Sequence, residues 1–442
     1  PHQTTGPNRI YFTHYSASAP LSAGPARSDC MPNPDLNIWG TAPTARYEQL
    51  AAPFRPLFEH ISAQAAEADG SRSSLATVIQ QLNALGLPRW RLPQAYGGHG
   101  ATLVELLTLL TELSAADSNI TQALRGHFGF CEEVLVSKDL DWQAKWLDTL
   151  SQGALLSPGS TEVGTQTRGE FGTRIHRAED GSLRISGKKF YTTGALYSDL
   201  INTIGTGEDD TLYSVVVDLK APGVQIIDDW NGFGQRLTAS GTCIFENVRL
   251  DDEPRATDQR FAYGQSFFQI YHLSTLAGIA RRAALSGAEE LSNRSRTFST
   301  GNADIAAQDV QLLQVIGEVA SQAYAAQAIT RQAAERLEST AQYTIASDKP
   351  LPHDDPQVAQ AELEVCLAVN PVVDATLAAT TALFDALGAS ATASNKALDR
   401  LWRNARTLAN HNPRVYKSRI VGNYLVNGIV PPSQWRVGVA KG

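Results

Sequence analysis

Near the end of the chain a histidine stands between two amides and a proline, as Asn410, His411, Asn412 and Pro413. A neutral imidazole both donates and accepts a hydrogen bond, so it can hold a peroxide or a phenol-like oxygen and help return a proton to it. Arg403, Arg406 and Arg414 lie close by in sequence, and positive neighbours disfavour the protonated ring. His411 and Asn410 are therefore catalytic candidates, with helix-end capping as the plain alternative. His127, between Gly126 and Phe128, is a further one, set against the reading of a satisfied core histidine. The segment Asn410 to Pro413 offers no carboxylate, so proton abstraction by an acidic side chain is not expected there.

These groups need elements to hold them. From Thr44 to about Asp139 the spacing is helical: Leu82, Leu85 and Leu87 end an amphipathic segment at Gly86 and Pro88. Thr102 with Glu105 makes a capping box ahead of Leu103, Leu106, Leu107, Leu110 and Leu113. From Leu155 to about Asp251 the period changes to two, in LRISGKKFYTT, LYSVVVDL, GVQIID and TCIFENVRL, which predicts a small antiparallel β-domain. After Tyr263 long Ala- and Leu-rich helices return over 266–292, 307–340 and 357–387, enough for an antiparallel four-helix bundle that includes the segment carrying His411. The expected divisions are an extension over 1–40, a helical domain over 41–154, a β-barrel-like middle domain over 155–262 and a helical bundle over 263–442.

Composition narrows the function. The chain has 442 residues, 43% of them apolar, and a formal net charge of −8. A large core is available. Without a dense basic face, neither nucleic acid nor an anionic membrane is an expected partner. No apolar run approaches the roughly 18–20 residues of a membrane span. Cys30, Cys131, Cys243 and Cys366 lack metal-ligand spacing, so no metal is expected, and they read as small apolar side chains in a reducing, cytoplasmic setting. The one methionine, Met31, suggests a natural start there, with an extension upstream.

Four motifs, in order, resemble the acyl-CoA dehydrogenase superfamily from about Thr44 onward. LPQAYGGHG (92–100) is similar to its LPEEYGG turn, and GKKFYTTGA (187–195) to its GxKxWITNA strand. GFGQRLTASGTCIFENVRL (232–250) is similar to its GxRxTxSxxxxFxxVxV run, and LDRLWRNAR (398–406) to LxRLxRDAR. The ending WRNARTLANHNPRVYKSRIVGNYLVNG resembles the flavin-dependent monooxygenase branch, the dibenzothiophene and alkyl sulfone monooxygenases, as do HFGF (127–130) and FYTTG. The implied fold class is α+β: helical domain, central antiparallel β-domain, C-terminal four-helix bundle.

The resemblance also implies roles. Tyr191, Thr192 and Thr193 would meet the flavin edge, unless they are only a strand end with satisfied hydroxyls. Trp230, Thr238 and Ser240 would wall the ring and hold phosphate or ribityl oxygens, beside Gly234 and Arg236, which reads otherwise as a solvated charge. Thr161 falls in a flavin loop that here lacks its proline. Arg296 and Phe298 occupy the place from which a neighbouring subunit grips the cofactor phosphate, with an unliganded helix-end arginine as the alternative. Arg406 completes the cofactor set, and Tyr96, Phe130 and Tyr416 are the substrate contacts. The cofactor expected is FMN, reduced and diffusible, with FAD the alternative. With no GxGxxG fingerprint in the chain, a separate NAD(P)H:flavin reductase is expected to supply it. Dioxygen, activated at the flavin C4a carbon, would then oxygenate a small organic substrate at sulfur, nitrogen or an electron-rich aromatic carbon. A FAD-dependent acyl-CoA dehydrogenase is the competing reading and a non-catalytic scaffold the third. A homotetramer is the expected assembly.

Overall fold

Thr102 starts the first long helix by the device its sequence announces. Its hydroxyl accepts from the Glu105 amide at 3.1 Å, and the Glu105 carboxylate accepts from the Thr102 amide at 2.8 Å. Two of the amides that a helix start leaves unpaired are thus satisfied. Arg46 also reaches Glu105, with Nε at 2.9 Å and Nη2 at 2.8 Å. Burial works to raise this carboxyl, but the bonds from Arg46 and Thr44 outweigh it and hold it down at about 2.

The computed structural model describes residues 37–163, 171–257 and 261–432. The expected start at Met31 and most of the expected extension fall outside them. Residues 37–41 belong to a separate unit, in which Asn37 accepts from the Trp39 amide and donates to the Gly40 carbonyl, both at 2.9 Å. In the larger unit the helical part comprises α1 (Tyr47–Ala51), α2 (Arg55–Ser71), α3 (Ala76–Ala84), α4 (Leu103–Ala123), α5 (Arg125–Val136) and α6 (Leu140–Ser151). The turn after α3 comes where glycine permits it, with Gly86 at φ +89°. Within α4 the helical dihedrals fail at Asp117 (φ −153°, ψ 115°), whose carboxylate accepts from both the amide and the side-chain nitrogen of Asn119 at 2.8 Å.

The middle part holds β1 (Leu156–Gly159), β2 (Arg174–Arg177), β3 (Leu183–Lys189), β4 (Leu200–Thr206), β5 (Leu212–Asp218), β6 (Val224–Ile227), β7 (Thr242–Arg249) and β8 (Arg255–Ala256). They form one sheet in the order β6-β7-β3-β2-β4-β5-β8, with β1 added beside β4. The expected antiparallel sheet is in fact mixed, because β1 and β2 both run parallel to β4. Side-chain alternation reports which face is buried, not strand direction, and long connections leave parallel pairing open. Ile175, Ile185, Ile201, Val217, Phe245 and Val248 form the apolar core of the sheet.

The C-terminal part is α7 (Gly264–Ser292), α8 (Val310–Ala346), α9 (Pro356–Ala382), α10 (Asp399–Ala409) and α11 (Lys417–Asn427). The three long helices begin within three residues of the expected positions, while the fourth member, α10, has only 11 residues. The stretch from Pro356 to Ala386 is apolar and long enough to cross a membrane, contrary to the sequence expectation, yet 56% of its most apolar window is buried against other helices. It packs as a core helix. Helices α4 and α7 approach closely at Gly278, where a Cβ would lie 2.5 Å from the Thr111 carbonyl oxygen.

Two of the expected site residues are buried in the core and a third packs against it. Phe130 is 3% exposed, its ring 5.0 Å from that of Trp146, and the partly buried Tyr96 packs against the same cluster. His127 is 1% exposed, with Nε2 2.9 Å from the Pro88 carbonyl oxygen and Nδ1 buried without a hydrogen-bond partner. Burial pushes its pKa down to about 4. The unfolded chain therefore takes up this proton first, so the contribution is complete above pH ~6.5 and is lost as pH falls towards 4. Chemical denaturation should show a pH-dependent loss of up to ~3 kcal/mol over that range that is missing in His127→Gln. Parallel curves for the two proteins would refute it. Cys131, Cys243 and Cys366 are buried and free.

Candidate active site

The chain leaves β3 in a strained turn. Tyr191 has φ +57°, unusual for a residue with a side chain, and its ring is 54% exposed, edge-on to Trp230 at 5.9 Å. Thr192 is fully buried, its hydroxyl donating to the Gly241 carbonyl at 2.9 Å. The Thr193, Ser240 and Thr238 hydroxyls form a chain with spacings of 2.9 and 2.7 Å, and Thr238 donates onward to the Gln235 carbonyl at 2.9 Å. Thr192 and Thr238 are thus committed to the backbone, whereas Ser240, only partly buried, keeps an open side. Trp230 is held by Nε1 donating to the Gly234 carbonyl at 3.2 Å.

This corner is fastened to the helices by close backbone approaches. A Cβ on Gly194, which has φ +86°, would lie 2.3 Å from the Ala123 carbonyl oxygen at the end of α4. A Cβ on Gly234 would lie 2.1 Å from the Arg403 carbonyl oxygen in α10. Between them runs a buried amide network. Asn404 accepts from the Gln235 amide at 2.7 Å, and Asn119 accepts from the Leu237 amide at 3.2 Å. The Ser118 hydroxyl oxygen accepts from Gln235 Nε2 at 3.0 Å and from Asn404 Nδ2 at 3.1 Å. The break at Asp117 is what turns Ser118 and Asn119 toward the loop. Arg403 is held by Asp69 at 2.6 Å and Asp399 at 2.7 Å, so it is a strut of α10, not a ligand group; Arg236 also leans on Asp69, at 3.9 Å.

Beyond that corner three cationic or imidazole side chains converge. The rings of His411 and His272 lie 4.4 Å apart between centroids, and Arg125 Nη2 is 3.4 Å from His411 Nε2. The guanidinium of Arg125 also lies over the Phe268 ring, 5.0 Å from its centroid. Arginine can only donate, so His411 Nε2 accepts and the neutral ring carries its proton on Nδ1. His411 is exposed to solvent. Its pKa is depressed by desolvation and then by Arg125, and that of the buried His272 by desolvation, His411 and Arg125. Both rings are therefore neutral at physiological pH. Among the described residues no carboxylate pairs with Arg125, His272 or His411, and no group of residues is arranged to hold a metal ion.

The remaining expected residues are dispersed. Asn410 is exposed and accepts from Arg406 Nη2 at 2.8 Å, so the two occupy each other on the surface of α10. Thr161 is bridged to Phe190, whose amide donates to its carbonyl at 2.8 Å, beside the strand end. Tyr416 is 49% exposed beneath Arg419, in the turn after His411. Arg296 and Phe298 are exposed in the α7–α8 connection, beyond an α7 that runs about 30 Å past His272, so they lie outside this site within one chain. Sequence reasoning missed Arg125, His272, Ser118, Asn119, Gln235 and Asn404. The run Asp117-Ser118-Asn119 inside an otherwise apolar helix was the one local signal available.

Residues 45–154 match the acyl-CoA dehydrogenase N-terminal domain and residues 270–413 the acyl-CoA dehydrogenase C-terminal domain. The chain is similar to a dibenzothiophene monooxygenase of Rhodococcus erythropolis, 26% identical over 394 residues that span 85% of this chain and 93% of the relative. It is also similar to the "Probable FMNH2-dependent monooxygenase SfnC" of Pseudomonas putida, 25% identical over 84% of this chain and 93% of the relative. Among solved structures, TdsC from Paenibacillus sp. A11-2 in complex with FMN and indole has the same fold, with a TM-score of 0.78 at 23% identity over 88% of this chain and 99% of that one.

Proposed function

Since this chain belongs to the acyl-CoA dehydrogenase superfamily, in its flavin monooxygenase branch, we propose that it is an FMNH2-dependent monooxygenase fed by a separate NAD(P)H:flavin reductase. It takes a small organic substrate and oxygenates sulfur, nitrogen or an electron-rich aromatic carbon; the named relatives favour sulfur. One observation carries the reading: near the end of α4 two neutral imidazoles and a guanidinium come together, and among the described residues no carboxylate pairs with them. Hydrogen abstraction from a thioester needs a base of the acidic kind, whereas oxygen transfer needs hydrogen bonding and exclusion of water.

The residues present fit FMN. Tyr191 and Trp230 leave an open aromatic corner for the isoalloxazine ring, and Ser240 and the Thr193 turn would hold its polar edge. When bound, the reduced flavin supplies the electrons that activate dioxygen. His411 would hold or return a proton through Nδ1, Arg125 and His272 would keep its ring neutral, and Phe268 and Tyr271 would help keep water away.

Anaerobic titration should show reduced FMN binding. Admission of oxygen should then give a near-ultraviolet-absorbing flavin species that outlives free reduced FMN in air. Bleaching of bound FAD by an acyl-CoA without oxygen would instead establish a dehydrogenase. The Gly194→Ala variant, strained by its positive φ and by the Ala123 carbonyl, should bind FMN on the order of tenfold more weakly. Unchanged affinity would detach this turn from the cofactor.

A further inference from the structure

The cationic and acidic side chains of this protein are, for the most part, matched. Arg91 meets Glu132 at 2.6 Å, Arg55 meets Glu112 at 3.0 Å, Arg46 meets Glu105 at 2.8 Å and Arg403 meets Asp69 at 2.6 Å. Arg125 breaks the pattern. Of its five donors, one makes a long contact to His411 and another, Nε, is shut off from solvent with no partner. A partly buried guanidinium whose Nε is cut off from water, with no counter-charge beside it, is costly, and a fold with net charge −8 does not lack acidic side chains to offer. Surrounding protein pushes the Arg125 pKa down to about 10, which still leaves it charged near pH 7.

The setting adds to the imbalance. Arg125 is the first residue of α5, a helix of 12 residues that follows α4 across Leu124 alone. Its neighbours His411 and His272 are neutral and the Tyr271 hydroxyl is spent on the Thr121 carbonyl at 2.7 Å, so none of them supplies negative charge. Phe268, pressed against Gly129, lies beneath the guanidinium, 5.0 Å from ring centroid to Cζ. An oxyanion with two oxygens in one plane matches such a fork bidentately.

We propose that Arg125 is the substrate-docking residue and that the substrate is a small organic anion, its carboxylate, sulfinate or sulfonate group paired with the guanidinium next to His411. This rests on the monooxygenase reading for the placement of the reacting centre beside these residues. It makes specificity a matter of charge: a neutral isostere leaves the fork unpaired, just as an anion completes it.

Calorimetric titration of the FMN-loaded protein with benzenesulfinate and benzoate, against neutral benzamide and methyl phenyl sulfone, tests it. The wild type should bind the anions at least tenfold more tightly than the neutral probes, with the difference shrinking as salt is raised. Arg125→Met should abolish that preference and leave FMN affinity within a few-fold, and Arg125→Lys should restore part of it. Equal binding of anions and neutrals by the wild type, or an undiminished preference in Arg125→Met, overturns the proposal. So does loss of FMN binding in Arg125→Met and Arg125→Lys alike, which would assign the arginine to the cofactor phosphate. Failure of the wild type to bind FMN strikes at the monooxygenase reading instead. The same titrations on the flavin-free protein then decide the anion preference separately.

Discussion

Replacing His411 with alanine should lower product formation by a factor on the order of 10² to 10⁴, the usual range for removing a positioned proton-transfer group, while FMN binding stays within a few-fold. The expectation follows from position: the exposed ring lies 4.4 Å from that of His272, its Nε2 is 3.4 Å from Arg125, and Nδ1 is its donor. The loss should appear as uncoupling, with reduced flavin still consumed but its oxygen released as hydrogen peroxide. His411→Asn, which keeps a donor near the Nδ1 position, should recover part of the product. Parallel assays of product, peroxide and NADH consumption read this directly. Wild-type coupling in His411→Ala would remove the residue from the mechanism. His272→Gln is the companion measurement, because a purely structural role for the pair would make the two variants lose thermal stability together without uncoupling.

The second large effect concerns folding. Lys417 and Glu362 are 0% and 9% exposed at their side chains, with Nζ and Oε1 3.3 Å apart, and Ser266 donates to the other Glu362 oxygen at 2.8 Å. The pair clamps α11 to α9 and, through Ser266, to α7. Lys417→Met leaves the buried Glu362 carboxylate with the Ser266 hydroxyl but no counter-charge, and breaking a buried pair in this way costs about 3–5 kcal/mol. Urea denaturation should show that loss, and Lys417→Met combined with Glu362→Leu should regain most of it, because two apolar side chains need no partner. A single variant within about 0.5 kcal/mol of wild type would show that the clamp is not a stabilising element. Since α11 follows the turn that carries His411, the single variant should also lose turnover more steeply with temperature.

What the sequence made legible was local. Thr102 with Glu105, the stop at Gly86 and the starts of the long helices depend on neighbours three or four residues away, and the structure has them where the spacing puts them. His411 was visible because an imidazole between amides, amid arginines, is an unusual composition. Strand direction was not visible, since β1 and β4 are brought together by a connection of some forty residues and alternation is blind to it. His127, Phe130 and Tyr96 looked chemical because they sit among glycines and aromatics, yet on α5 His127 meets the Pro88 turn and Phe130 meets α6, while Tyr96, in the turn before α4, packs against the same α6 cluster. Arg125 and His272 were hidden for the converse reason. Each lies in an ordinary helical run and acquires meaning only from the other and from His411. Arg296 and Phe298 were read from a resemblance alone, and within one chain they lie about 30 Å past His272, beyond the end of α7.

The interruption at Asp117 bears on how this protein can change. In an unbroken rod, each residue gained or lost upstream would swing Ser118 and Asn119 around the axis by about 100°. Here their orientation is set by one carboxylate within two residues of them, so the long half of α4 can drift to suit its packing partner while the far side keeps its aim. Scaffold and pocket are thereby free to diversify on separate schedules.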